Sequence, residues 1–239
     1  MKLLAVETST ECCSVALLRG DEIVVSETLA GQRHSELLLD MVQALLKAHG
    51  TKIRDLDAIA FGAGPGSFTG LRIACGVAQG LAFGAHKKVV AISSLLALAD
   101  AAAKASASKR VIAALDARMG ETYFGAFEIS GACWQTLIEP CLVDATSLPH
   151  VDGGGWCAVG SGFEVHGYLA NQYNTQLDSI LTGRLPSARE VARLAALEFA
   201  AGRAIDAEFA APLYVRNKVA LTTTERAEQK LGRTALVKT

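Results

Sequence analysis

Apolar residues come in short runs broken by polar turns at the start of the chain, then switch to a helical spacing. Leu3–Thr8, Cys12–Leu18 and Glu22–Leu29 read as strands, because the segments between them, Ser9-Thr10-Glu11 and Arg19-Gly20-Asp21, have hairpin-turn composition. From Ser35 to His49 the apolar positions fall at 38, 41, 42 and 45, with more at 37, 39 and 46, which predicts a helix with a wide apolar face. A strand at Asp57–Phe61, an apolar helix at Thr69–Gly84 and a buried strand at Val89–Ile92 follow. The small, polar segment Ala101–Lys109 marks a boundary, so residues 1–104 are expected to form an N-terminal lobe. The pattern then starts again. Val111–Gly125 repeats the opening run, with Asp116 falling where Glu7 falls at an offset of 109, and Ala158-Val159-Gly160-Ser161-Gly162 repeats the shape of Ala60-Phe61-Gly62-Ala63-Gly64. Two echoes in one order predict a duplicated β-rich unit with flanking helices, the second copy occupying 105–221. Residues 222–239 are rich in Thr, Lys, Arg and Glu and have little to bury, so a flexible tail is expected there.

Composition narrows the chemistry. Hydrophobic residues make up 51% of the 239 positions and aromatics only 6%, so the core is built from Ala, Leu, Val and Ile, which favours close helix-on-sheet packing. The formal charge, 23 cations against 24 anions, is −1, and the molecule has no field to gather nucleic acid unaided. Six cysteines, at 12, 13, 75, 133, 141 and 157, contain no CxxC pair and read as reduced core thiols of a cytosolic protein. The apolar run ending at Glu7 is too short for a signal peptide, and no run of membrane-spanning length exists, so no membrane contact is expected.

The candidate chemistry centres on Gly64-Pro65-Gly66-Ser67-Phe68-Thr69-Gly70, a tight corner between strand and helix. Bare backbone at Gly64 and Gly66, both expected to need positive φ, can approach an anion or another stretch of backbone, with Ser67 or Thr69 capping the helix. The corner lacks the Lys of a phosphate-binding Walker loop and the third Gly of a dinucleotide fingerprint. Glu7 and Asp116, each at a strand end, form a candidate acid pair, with Thr8 and Ser9 able to add hydroxyls and amides to a nucleotide contact. No two of the five histidines (34, 49, 86, 150, 166) are three or four residues apart, and no Gly-x-Ser-x-Gly elbow surrounds Ser9, Ser67 or Ser161. The helix at 69–84 is apolar on nearly every side, with Leu71, Ala74, Ala78 and Leu81 on one stripe and Ile73, Val77 and Gly80 on another. A helix apolar all round is buried all round, so its second stripe is covered either by the second lobe or by a partner.

Leu3-Leu4-Ala5-Val6-Glu7-Thr8-Ser9-Thr10, Arg33-His34-Ser35-Glu36, Gly64 to Ile73, Asp116-Ala117-Arg118-Met119-Gly120-Glu121 and Pro212-Leu213-Tyr214-Val215-Arg216 together resemble the TsaB (YeaZ) family. The resemblance implies an α/β, two-lobed actin-like (ASKHA, RNase H-like) fold of duplicated mixed sheets. It implies a cytoplasmic, non-catalytic protein, without a cofactor of its own, of the pathway that places threonylcarbamoyladenosine at position 37 of tRNA. Its implied partners are the metal-bearing TsaD paralogue, the TsaE ATPase, a second copy of itself when alone, and tRNA only through the complex. The paralogue carries a His-x-x-x-His metal pair; aligning Val89–Ile92 with the preceding strand puts Ser94 and Leu98 at those positions. Family members pair through the two helices of the first lobe, which points to His34, Leu38, Met41, Leu45, Ile73, Val77 and Gly80 as partner contacts. The other reading is an actin-like enzyme acting alone, a phosphotransferase or a glycoprotease-like metal-dependent hydrolase.

Overall fold

The computed structural model describes residues 1–131 and 133–216; the tail expected at 222–239 lies outside them. The opening apolar runs form an antiparallel meander, β1 (Lys2–Glu7), β2 (Cys12–Arg19) and β3 (Glu22–Leu29), in which Val6 faces Val15 and Ala16 faces Val25. β4 (Ala58–Gly64) lies parallel to β1, and β5 (Lys88–Ser93) parallel to β4, giving the order β3-β2-β1-β4-β5. Parallel neighbours need crossover connections, and α1 (His34–Ala48) and α2 (Phe68–Ala85) supply them. β4 runs on through Gly64, past the expected end at Phe61.

The second half contains β6 (Arg110–Asp116), β7 (Thr122–Ser130), β8 (Cys133–Val143), β9 (Trp156–Val159) and β10 (Leu177–Leu181). Their order, β8-β7-β6-β9-β10, repeats the first sheet strand for strand, with the same two antiparallel and two parallel pairings. Glu7 and Asp116 therefore end equivalent strands. The duplicated, two-lobed actin-like fold is the architecture of the chain.

The boundary is less simple than the sequence suggests. Ala101–Lys109 is not a linker, because α3 (Ser94–Ser106) runs through most of it; its alanines are strong helix formers, and Ala102 and Ala103 are buried. Although α3 leaves the first sheet, Leu95, Leu98, Ala99 and Ala102 pack on Val111, Ala113, Leu115 and Val159 of the second. α6 (Ala188–Ala200) leaves the second sheet and packs Ala188, Val191, Ala192 and Ala195 on Leu3, Ala5, Ala16 and Ala60 of the first. Residues 188–213 thus pack on the first sheet, although they lie within the 105–221 expected for the second lobe. Asp100 of α3 ties the crossing together, accepting from Trp134 Nε1–H at 3.0 Å and pairing with Arg193 of α6. The outer faces are covered by α1 and α2 on the first sheet, and by α4 (Ser161–Val165) and α5 (Gly167–Gln172) on the second.

Four cysteines, 12, 13, 75 and 157, are buried as expected, but Cys141 is half-buried and Cys133 exposed at the start of the outermost strand of the second sheet. Burial pushes the Cys12 thiol up to about 12 and Cys13 up to about 11, with nearby carboxylates adding to the effect, so both remain protonated. Among the described residues no helix is long and apolar enough to cross a membrane.

Leu98 is fully buried where α3 crosses to the second sheet. Leu98→Ala is expected to destabilise the protein by about 2–5 kcal/mol in urea unfolding, since the packed Ala-rich surroundings cannot collapse into the space.

Candidate functional site

A cleft of about 830 Å³ opens between the lobes, lined by Ser9, Ser67 and Thr69 from the first and by Asp116, Arg118 and Ser161 from the second. The Gly-rich corner forms one wall, and several of its polar groups bond within the chain. Ser67 caps α2, its Oγ accepting from Gly70 N–H at 3.3 Å, while its own N–H donates to Ser9 O at 2.7 Å. The Thr8 hydroxyl donates to Gly70 O at 2.7 Å. A Cβ at Gly66 would stand 2.5 Å from Ser9 O, and one at Gly70 would overlap Thr8 O. The glycines admit the chain's own β1–β2 turn, and the Ser67 amide is bonded within that contact. Only Gly64 has positive φ (+108°); Gly66 is required by close approach instead.

Glu7 is fully buried behind this wall rather than facing the cleft. Its carboxyl accepts from Ser9 N–H at 2.6 Å and from the Ser94 hydroxyl at 2.8 Å, and a Cβ at Gly62 would overlap it. Burial pushes its pKa up, and the hydrogen bonds from Ser9, Ser94 and Thr8 only partly oppose the shift. Ser94 also accepts from Gly64 N–H at 3.2 Å, so it braces the corner from behind, and Leu98 lies in the core. Among the described residues no three His, Cys, Asp or Glu side chains gather as metal ligands.

Asp116 occupies the equivalent strand end in a different setting. Its carboxylate borders the cleft, accepts from Arg118 N–H at 2.9 Å and lies 3.0 Å from His166 Nε2, while Ser161 Oγ accepts its backbone N–H. Glu7 is walled in, whereas Asp116 is partly buried at the border of the cleft. The Asp116–His166 contact joins residues 50 apart with no local sequence signal. The run Pro212–Arg216 acquires a place too, as a strap across the cleft. Leu213 N–H donates to Ala63 O at 2.7 Å, and Arg216 donates to Ala117 O at 2.9 Å and pairs with Glu121.

On the outer surface, the expected partner contacts separate into two groups. Leu38 and Leu45 are buried in the first lobe's own core, turned toward the sheet, and His34 is buried where it lines the cleft, so none of the three is presented on the outer surface by the single chain. Met41, Ile73 and Val77 are half-buried, and Gly80 is exposed. α2 is not buried all round, because α6 lies across the other face of the sheet and leaves the outer flank of α2 open. Gly76, Gly80 and Gly84 line that flank at intervals of four, and a Cβ at any of them would meet nothing within 4 Å.

Two outcomes follow from the corner. Gly66→Val is expected to lower stability by about 1–3 kcal/mol in thermal or urea unfolding, because Ser9 O occupies the space of the new side chain. For Glu7 the folded pKa lies above the unfolded one, so the native state binds the extra proton: the favourable contribution is complete below the unfolded value and fades as pH rises through the folded value. Glu7→Gln, which keeps the hydrogen-bonding shape without the charge, should therefore gain stability relative to the parent as pH rises above the ordinary carboxyl value of 4.5, measured by urea unfolding as a function of pH.

Comparison with known proteins agrees with the geometry. A family model described as TsaD, tRNA N6-adenosine threonylcarbamoyltransferase, matches residues 23–222. The tRNA threonylcarbamoyladenosine biosynthesis protein TsaB of Escherichia coli is 36% identical over 92% of this chain and 96% of its own length. Its Haemophilus influenzae counterpart is 37% identical over 92% and 95%. A Pseudomonas aeruginosa structure described as an uncharacterized protein with similarity to peptidase YEAZ superposes with a TM-score of 0.81 at 36% identity, covering 90% of this chain and 99% of that one. With the duplicated fold, the motifs at both strand ends and relatives matched along nearly their whole length, this chain belongs to the TsaB (YeaZ) family.

Proposed function

We propose that this chain is a non-catalytic docking subunit in the biosynthesis of threonylcarbamoyladenosine at position 37 of tRNA. It works by binding a TsaD-like paralogue through α1 and α2, and the complex recruits a TsaE-like ATPase and the tRNA. Alone, it pairs with a second copy through the same helices. The observation that carries this reading is the open Gly76–Gly80–Gly84 stripe beside Met41, Ile73 and Val77. Each glycine inside a helix costs about 1 kcal/mol relative to Ala, and the isolated chain gains no close contact in return. A partner helix laid along the stripe does, because its backbone can come close where no side chain intervenes. Two half-apolar helices per partner can supply the roughly 1,200 Å² that a stable interface buries.

The interior supports the non-catalytic part. Ser94 and Leu98 stand, both buried, where the paralogue is expected to hold metal, and Glu7 is walled off from the cleft. The setting is cytoplasmic, with no cofactor held by this chain. One observation favours the second reading, a stand-alone phosphotransferase or metal-dependent hydrolase: Asp116 and His166 form a carboxylate–imidazole contact at the cleft. Elemental analysis and nucleotide and peptide turnover by the purified chain discriminate the two, and silence is expected.

Gly80→Leu is the test of docking. It is expected to raise melting temperature, by up to about 1 kcal/mol of added helix stability, while weakening self-association and pull-down of the TsaD-like partner at least tenfold. Val77→Glu should fold and lose both contacts, since it places a charge in an apolar interface. Parental affinity in both variants by light scattering and pull-down places the interface elsewhere.

A further inference from the structure

The end of α2 nearest the cleft carries an arrangement that docking through glycines leaves unused. The Arg72 guanidinium carbon lies 3.8 Å from the centroid of the Phe68 ring, one helical turn earlier, and 5.9 Å from that of Tyr214. Its Nε–H donates to the Tyr214 hydroxyl at 2.9 Å, and the two rings are 5.6 Å apart. Tyr214 is delivered by the strap, anchored on either side through Leu213 and Arg216. Both rings are substantially exposed, at 40% and 44%, and among the described residues no carboxylate pairs with Arg72.

This is an arginine fixed in place with most of its hydrogen-bonding fork unspent. An exposed cation–π stack adds little to folding stability. It does remove the side-chain freedom that an arginine otherwise loses on binding, and aromatic neighbours keep water from the contact. Arg72, Gly76 and Gly80 follow one another at intervals of four, so the stack continues the open glycine stripe along one flank of the helix.

We propose that Arg72, held by Phe68 and Tyr214, is the polar anchor of the docking face and receives an Asp or Glu carboxylate from the helical partner that covers Gly76–Gly84. The inference rests on the docking reading. The guanidinium fork matches a carboxylate in two parallel hydrogen bonds, a geometry that a lysine ammonium cannot copy. An RNA ligand is less well matched, because the chain as a whole, at a formal charge of −1, offers no phosphate-gathering field. The strap motif thereby gains a role: it holds Tyr214, and Tyr214 holds Arg72.

The test measures affinity for the TsaD-like partner by calorimetry, with Gly80→Leu as the reference for docking itself and melting temperature as the check on folding. Arg72→Ala should weaken binding by about 30-fold or more, the scale of an interface hot spot. Arg72→Lys should recover little of it, although the charge is kept, and Tyr214→Phe should cost a smaller factor, about three- to fivefold, by freeing the arginine. If Gly80→Leu abolishes binding while Arg72→Ala and Arg72→Lys bind like the parent, the anchor is wrong and docking stands. If Gly80→Leu and Arg72→Ala both bind like the parent, the docking reading falls and the anchor with it. Unchanged partner affinity with reduced tRNA retention by the Arg72→Ala complex assigns the arginine to RNA and overturns the proposal.

Discussion

The exchange of α3 and α6 between the sheets is the constraint on which the molecule depends. Each helix leaves one sheet and covers the inner face of the other, so neither half of the duplicated unit can bury its own sheet without the rest of the chain. Small side chains make this possible: the contact is mostly Ala, Val and Leu, and each fits between strands and helix without displacing the other crossing. With both inner faces taken, the mouth of the cleft is set by the core, and the strap from Leu213 to Arg216 ties its two walls again at the rim.

That arrangement sets the surroundings of the cleft. On the first lobe's side the Gly-rich corner closes on the β1–β2 turn through Ser67 to Ser9 and Thr8 to Gly70. Glu7 then lies behind the wall, its pKa pushed up by burial and its carboxyl braced by the Ser94 hydroxyl. The duplicate strand end leaves Asp116 partly buried at the cleft, with Arg118 and His166 around it. Equivalent positions in the repeat have different surroundings because one is packed under the corner and the other borders the cleft.

The outer surface holds the places where local rules are broken without a return inside the chain. Helix-interior glycines at 76, 80 and 84 face open space, and Arg72 is fixed between two half-exposed rings. Such conflicts between local preference and global fold concentrate at functional positions. Here they fall on one flank of α2, beside Met41, Ile73 and Val77.

Much of this was determined by the sequence alone. Short apolar runs broken by polar turns predicted the opening strands, helical spacing predicted α1 and α2, and the offset between Glu7 and Asp116 disclosed the duplication, because these patterns are carried by residues near one another along the chain. The chain also offered Ser67 or Thr69 as the cap of α2, and the fold uses Ser67. Tertiary structure alone decided the rest. The alanine-rich stretch after residue 100 carries the same letters whether it links two lobes or crosses between them, and only the distant sheet makes it α3. Leu38 and Met41 look alike on a helical wheel, yet one points into the sheet and the other toward the open flank. The glycines at 66 and 70 showed that something must come close, but what comes close is a turn some sixty residues away, and contacts of that separation leave no periodic mark in the chain.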